Sequence, residues 1–366
     1  MRLLNHTPFL AAYTLGLAPD GRESVVVVIK ATFSIPTSYY AHPELLDEQV
    51  ALVEADIHTA EPESSAPLYE ADYALGKPRC DVTLIGSAYA PNGNPAERVQ
   101  TGLSVGQINK FINVIGERHW MSNTTCVVTS QPRTFQMATI SYDMAFGGTD
   151  KAHEDKRFHD AFMLNPVGIG FHRAVLHNLV DGTPAPSTEM PDQPVMQPNG
   201  VYKPMSFGPV GRAWQPRIQY AGTYDDTWLD EQFPFLPTDF DNRYYQSAPA
   251  DQQTNYLQGG EEVTLVNLTP EGLCRFRIPT LEMPVCFFKK KSVREYRQAV
   301  IDTLVIEPDQ SRFSMTWRAT QLLQSNIFEI PEVIIGKFPQ TRGIAKPHIS
   351  SLAEPGKNRN TTDETL

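Results

Sequence analysis

The chain has 366 residues, 41% hydrophobic and 20% charged, and its 42 acids against 31 Lys and Arg give a formal net charge of −11. That length suits one large domain or two ordinary ones with a real core, and the acidic balance argues against a dedicated nucleic-acid binder, which needs a concentrated basic surface. No apolar run approaches the ~18 residues of a membrane helix and Met1-Arg2-Leu3-Leu4-Asn5-His6 lacks a signal-peptide core, so a soluble cytoplasmic protein is expected.

Ser24 to Ser34 (SVVVVIKATFS) is a β-branched run bounded by turn-formers, Asp20-Gly21 and Pro36, and it predicts a buried strand. The same signature recurs at Cys80 to Ala90, Lys110 to Ile115, Glu262 to Leu268, Arg275 to Ile278 and Asp302 to Ile306. From Arg312 to Thr320, Phe313, Met315 and Trp317 alternate with Ser314, Thr316 and Arg318, which predicts a half-exposed strand. Pro91-Asn92-Gly93-Asn94 and Thr269-Pro270-Glu271-Gly272 carry hairpin-turn chemistry. Short helices are expected over Glu44 to Glu54 and Gln321 to Phe328, neither with a long amphipathic pattern.

The middle, Gly147 to Ala250, is rich in proline and shows little periodicity. It also carries Trp214, Tyr220, Tyr224, Trp228, Phe233, Phe235, Phe240, Tyr244 and Tyr245. Each aromatic can remove roughly 150–250 Å² from water, so ordered irregular coil draped on β lobes is expected rather than a linker. The fold class is thus mainly β: antiparallel sandwich-like or barrel-like lobes, a long irregular segment and few short helices. The divisions are an N-terminal β lobe (1–145), the irregular segment (146–250), a C-terminal β lobe (251–340) and a flexible polar tail (341–366). Cys80, Cys126, Cys274 and Cys286 form no C-x-x-C pair and read as buried reduced thiols.

Charge is uneven. Between Lys30 and Lys77 there is no Lys or Arg, while Glu44, Asp47, Glu48, Glu54, Asp56, Glu61, Glu63, Glu70 and Asp72 accumulate. They read either as a solvated acidic loop or as a surface that steers a basic partner segment. Lys289-Lys290-Lys291 with Arg294 and Arg297 reads as a solvated turn or a small interaction patch.

Motifs for chemistry are sparse. Gly168-Ile169-Gly170 lacks a third glycine, there is no P-loop, and His153-Glu154 with His159 has the wrong spacing for a zinc helix. Asp239-Phe240-Asp241-Asn242 begins like a calcium loop but has Tyr244 where Gly is required. Asp225, Asp226, Asp230, Glu231, Asp239, Asp241 and Asp251 lie among aromatics, as in a glycosidase cleft, although Asp in irregular segments usually caps turns. No catalytic residue, cofactor or metal is assigned.

A set of punctuated motifs occurs in one order: Gly116 to Trp120 (GERHW), Ala145 to Gly148 (AFGG), Asn165 to Gly168 (NPVG), Phe207-Gly208-Pro209, Trp214 to Arg217 (WQPR), Ala221 to Asp225 (AGTYD), Leu236 to Asp241 (LPTDFD) and Gly259-Gly260-Glu261. With Asn5 to Phe9, Lys77-Pro78, Asp302-Thr303-Leu304 and Trp317-Arg318, the chain from about Asn5 to Gly336 resembles the bacterial domain-of-unknown-function family two-one-six-nine. It departs at His177, where a Pro is expected, and at Ser206, where a Gly is expected. The resemblance implies one continuous domain over 5–336. It also implies a non-catalytic adaptor chaperone of type VI secretion that holds a PAAR-type effector by its N-terminal region and helps load it onto the VgrG spike. It carries over no catalytic residues. The alternatives are a carbohydrate-active hydrolase using Asp225, Asp239 or Asp241, and a structural component of the spike. Two partner surfaces are expected: the acidic residues Glu44, Asp47, Glu48, Glu54, Asp56, Glu61 and Glu63, and the coil residues Trp214, Arg217, Tyr224 and Trp228.

Overall fold

The β-branched run from Ser24 forms strand Glu23–Ser34, and the whole fold is organised around it. A computed structural model describes residues 1–337 apart from 19, 39–40, 124–125, 152–153, 174–176 and 291–292. The stretch 341–366, Lys291 and Leu176 therefore lie outside the described residues. Strand Glu23–Ser34 sits in a six-stranded sheet ordered Gln253–Thr254, Cys80–Leu84, Val300–Glu307, Arg312–Leu322, Glu23–Ser34, Leu10–Leu17. Its neighbours are antiparallel except for Cys80–Leu84 beside Val300–Glu307. A five-stranded antiparallel sheet runs Thr188–Glu189, Ile108–Ile115, Arg98–Val105, Glu262–Val266, Leu273–Arg277. A four-stranded sheet runs Arg2–Asn5, Glu332–Ile335, Pro284–Lys289, Val293–Gln298.

One core joins the three sheets. Val25, Val27, Ile29 and Phe33 pack with Leu103, Ile112, Val263 and Leu265 and with Val285 and Phe287, as period-two alternation demands. The mainly β expectation holds: among the described residues the sheets are open, with few helices and no closed barrel. Met1–Gly336 forms one compact unit. The two ends do not form separate lobes, however. The six-stranded sheet alternates strands from both ends of the chain, because each needs the other as a hydrogen-bonded neighbour. Asn267 and Gly272 (φ 53° and 80°) close a hairpin from Glu262–Val266 to Leu273–Arg277 as expected, whereas Pro91–Gly93 is a 3₁₀ turn with Asn92 at φ 57° that closes no hairpin, because the strand before it, Gly86–Tyr89, pairs with Met137–Ile140.

Three local expectations are corrected. Glu44 to Glu54 is not a helix; Leu45 bridges to Phe33 and the segment lies along the sheet. Gln321 to Phe328 continues strand Arg312–Leu322 and ends in a 3₁₀ turn, Ile327–Glu329. Arg312–Leu322 is not half exposed, since Ser314, Thr316 and Arg318 are buried like their apolar neighbours. Cys126 is exposed and Cys274 half-buried, whereas Cys80 and Cys286 are buried, and no disulfide joins any two of them.

The second face of the sheet is buried by the acidic segment. Gln49 exchanges bonds with both main-chain groups of Thr32, at 2.8 and 3.0 Å, which docks the segment as a strand-like strap. Further on, Asp72 pairs with Lys30 at 2.8 Å, and Lys77 pairs with Asp81 at 2.8 Å. Arg318 donates to Asp302 at 2.5 Å and to the carbonyls of Asp72 and Ala74 at 2.7 and 2.9 Å. Burial pulls the Lys77 ammonium down, but Asp81, Asp302 and Glu70 outweigh it and hold its pKa above the ordinary value. A buried ion needs its partner because its desolvation is otherwise uncompensated. Arg318→Met leaves Asp302 buried without its guanidinium, and urea unfolding should show a loss of about 3–5 kcal/mol.

The irregular segment is held by similar single points. Asn165 is buried and donates to the carbonyls of Tyr142 and Phe146, at 2.8 and 3.2 Å. At Gly168 a Cβ would stand 2.4 Å from the Ala145 carbonyl oxygen, so the Ala145 to Gly148 and Asn165 to Gly168 motifs form one knot that only glycine fits. Lys110 reaches from the five-stranded sheet to the Ser206 carbonyl (2.8 Å), Gln252 (2.7 Å) and Asp251 (3.2 Å). Burial pulls the Lys110 ammonium down to about 8, although Asp251 pushes it up. Between that value and 10.5 the unfolded chain binds more protons than the folded one, so this group makes stability rise with pH. Unfolding free energies measured from about pH 8 to about pH 10 should climb for the wild type relative to Lys110→Met.

Candidate functional site

The residues expected to meet a partner fall into two groups. In the acidic segment, Glu44, Asp47, Glu48, Glu54, Glu61 and Glu63 are exposed, and among the described residues none pairs with a Lys or Arg. Asp56 does not belong with them: Arg212 clamps it with bonds of 2.7 and 3.0 Å. Burial raises the Asp56 carboxyl, but Arg212 and the Ala71 N–H outweigh it and hold its pKa below the ordinary value. Arg212 also pairs with Glu70 at 2.7 Å, and Glu70 accepts from Arg217. In the basic cluster, Lys289 and Arg297 both pair with Glu295, at 2.6 and 2.5 Å.

Trp214 and Arg217 are corrected in the same way. Trp214 is 6% exposed and packs edge-on to Tyr142 with centroids 5.5 Å apart. Arg217 is 4% exposed, donates to the carbonyls of Tyr244 and Val210 at 2.8 Å each, and lies over the Tyr244 ring. Both are scaffold: each is buried, and the Arg217 guanidinium already bonds Glu70 and two carbonyls. Together with Arg212 they tie the coil to the acidic strap.

From that root the chain rises into a small aromatic lobe. Asp225 caps helix Asp226–Glu231 by accepting from the Trp228 N–H at 2.9 Å. The Trp228 indole packs edge-on to Tyr224 and Phe233, at 4.7 and 5.7 Å, and donates from Nε1 to the Phe235 carbonyl at 2.9 Å. Phe233–Pro234 is cis. Several of these rings are not buried as expected: Tyr224 is 53% exposed, Phe233 63% and Phe235 43%, and Leu229 beside them is 56% exposed. A six-residue helix is too short to reach the core, so its aromatics pack on one another instead. Asp225, Asp226, Asp230 and Glu231 rim the patch, all exposed. Phe233, Leu229 and Phe235 join Tyr224 and Trp228 in the site; the cue for the two Phe was the same aromatic density that suggested burial, and Leu229 had none.

The carboxylates considered for hydrolysis are occupied by local turns. Asp239 accepts from the Thr223 N–H and hydroxyl at 2.9 and 2.7 Å, which hold its carboxyl below the usual range. Asp241 caps Arg243 and pairs with its guanidinium at 2.6 Å. A separate groove of about 460 Å³ lies between Tyr69, Ser87, Met137 and Arg312. Its polar groups bond one another, Tyr69 to Glu307 at 2.6 Å and Ser87 to Asp309 at 2.8 Å. Burial, followed by the Glu307 bond, pushes Tyr69 up to about 12, far from a proton-transfer range at neutral pH.

Fold and site define a mainly antiparallel β scaffold that displays an acid-rimmed aromatic patch on irregular coil. The chain belongs to the bacterial family described as "Uncharacterized protein conserved in bacteria (DUF2169)", which matches residues 20–318. No curated protein and no solved structure matches it. No helix among the described residues is long and apolar enough to cross a membrane.

Burial separates scaffold from site energetically. Trp214→Ala should cost about 3–5 kcal/mol in thermal or chemical unfolding, while Leu229→Gln should stay within about 0.5 kcal/mol.

Proposed function

We propose that this protein is a non-catalytic adaptor chaperone that binds a type VI secretion effector with a PAAR domain in the cytoplasm. It keeps the effector soluble through its N-terminal region and assists loading onto the VgrG spike. The observation that carries this reading is the patch of Tyr224, Leu229, Phe233 and Phe235, exposed around the half-buried Trp228 on a lobe rooted by buried ion pairs. A contiguous apolar surface with a polar rim is what a protein-binding site requires. Its acids, with Glu44, Asp47, Glu48, Glu54, Glu61 and Glu63, give a negative field that draws in a basic segment and weakens with salt. The resemblance in motif order supplies the secretion context. The turn-capping roles of Asp225, Asp239 and Asp241 support it over hydrolysis, since each carboxylate is already committed to a backbone N–H.

Co-expression with a PAAR-type effector should yield a soluble complex that is recovered by pull-down, and Leu229→Gln with Phe233→Ser should lower its recovery. An effector that is equally soluble and equally secreted without this protein defeats the adaptor reading. Persistence of this protein in the assembled, secreted spike would favour a structural component instead.

A further inference from the structure

The larger sheets end in six edge strands, and five are short or charged. Gln253–Thr254 and Thr188–Glu189 are two residues long. Arg2–Asn5 carries Arg2, Leu273–Arg277 carries Arg275 and Arg277, and Val293–Gln298 carries Arg294, Glu295 and Arg297. Short length and charge are how proteins keep sheet edges from pairing. Leu10–Leu17, LAAYTLGL, is different: it has eight residues, no charge and no proline.

The direction of its free groups follows from the ladder. The bond from the Ala18 N–H to the Arg22 carbonyl (2.8 Å) extends the register that pairs Leu17 with Glu23 and Gly16 with Ser24. Bonded and non-bonded pairs alternate in an antiparallel ladder, so Leu10, Ala12, Thr14 and Gly16 bond inward. The bond from the Leu323 N–H to the Glu23 carbonyl agrees, since it gives the odd residues of Glu23–Ser34 to the other neighbour. The N–H and C=O groups of Ala11, Tyr13, Leu15 and Leu17 therefore point out of the sheet. Among the described residues no main-chain group meets them. Tyr13 and Leu15 are 39% and 47% exposed and stand ready to pack on cross-strand neighbours.

The end of this edge meets the aromatic lobe. The Phe235 ring lies against Gly21, 3.4 Å from where a Cβ would stand. Asp225, Asp226, Asp230 and Glu231 are exposed on that lobe with no Lys or Arg paired to them among the described residues. Leu10–Leu17 runs towards the lobe, so an antiparallel strand added beside it would begin there.

We infer that the Leu10–Leu17 edge is a docking site for an extended segment of a partner protein, which adds as an antiparallel strand with uncharged side chains along the edge and Lys or Arg just N-terminal to them, over the acidic lobe. Main-chain bonds supply affinity and the charges supply direction. The identity of the partner rests on the adaptor reading; the edge itself does not.

The test uses the full chain and a fluorescent synthetic peptide of alternating valine and threonine preceded by two lysines, with a twin that carries two glutamates. Anisotropy should show binding of the lysine peptide and binding about tenfold weaker for the twin. Leu15→Pro removes one outward N–H without touching the inward ladder and should weaken binding about tenfold. Leu15→Lys keeps every main-chain group, adds an edge charge and should weaken it similarly; it decides the matter where the proline variant does not fold. Equal binding by wild type and Leu15→Lys overturns the inference. So does a wild-type dimer in sedimentation that Leu15→Lys makes monomeric, because the edge then belongs to a second copy. A peptide that does not bind while the effector still co-purifies overturns the edge site alone. A peptide that binds as expected while the effector needs no chaperone sustains the edge site and removes the adaptor reading.

Discussion

Lys30 and Arg318 stand on the outer face of the central sheet and Lys77 reaches in from the coil before Cys80–Leu84; their side chains are only 3–5% exposed, and each is met by a carboxylate. Moving an ammonium or guanidinium out of water costs several kcal/mol even after relaxation. Asp81 and Asp302 of the sheet itself meet Lys77 and Arg318, and the remaining partners must be brought from elsewhere in the chain. The acidic segment does this: Asp72 meets Lys30, the carbonyls of Asp72 and Ala74 meet Arg318, and Glu70 meets Arg217 and Arg212 from the central coil. Part of the strap thus neutralises the sheet face, while Glu44, Asp47, Glu48, Glu54, Glu61 and Glu63 stay exposed and, among the described residues, pair with no Lys or Arg.

The same pairing explains how long irregular coil becomes a stable display surface. Coil without ladders must settle its backbone groups one by one. Here Lys110, Asn165 and Arg217 each reach several carbonyl or carboxamide oxygens, which replaces a ladder with point anchors. Beyond the last anchor the chain rises into helix Asp226–Glu231, whose rings have only one another to pack against. A rigid root and an uncovered tip make a surface whose shape is set before binding, so less ordering entropy is lost on association.

Strands announced by β-branched runs were legible, Glu23–Ser34 and Val300–Glu307 foremost. Leu10–Leu17 was not: Ala, Gly and Leu carry little strand propensity, and only the partner Glu23–Ser34 holds it extended. The helix expected at Glu44 to Glu54 failed for a related reason, because local propensity gave way to the bonds Thr32 offers through Gln49. At the site, Tyr224 and Trp228 were legible by residue type. Trp214, an aromatic a few residues earlier, is buried, and no pattern within the stretch distinguishes it from them.

What the sequence by itself determined was the β class, the turns at Asn92 and Gly272 and the family to which the motifs belong. These rest on local chemistry: β-branched side chains, residues that tolerate positive φ, and glycines at close approaches. The tertiary structure alone decided which acids neutralise buried cations and which face solvent, which aromatics pack inward, and which sheet edge stays open. Each of those is a property of a pair, as when Arg318 meets the carbonyl of Asp72 across 246 residues of chain. A pair so far apart leaves no trace in either residue's neighbourhood.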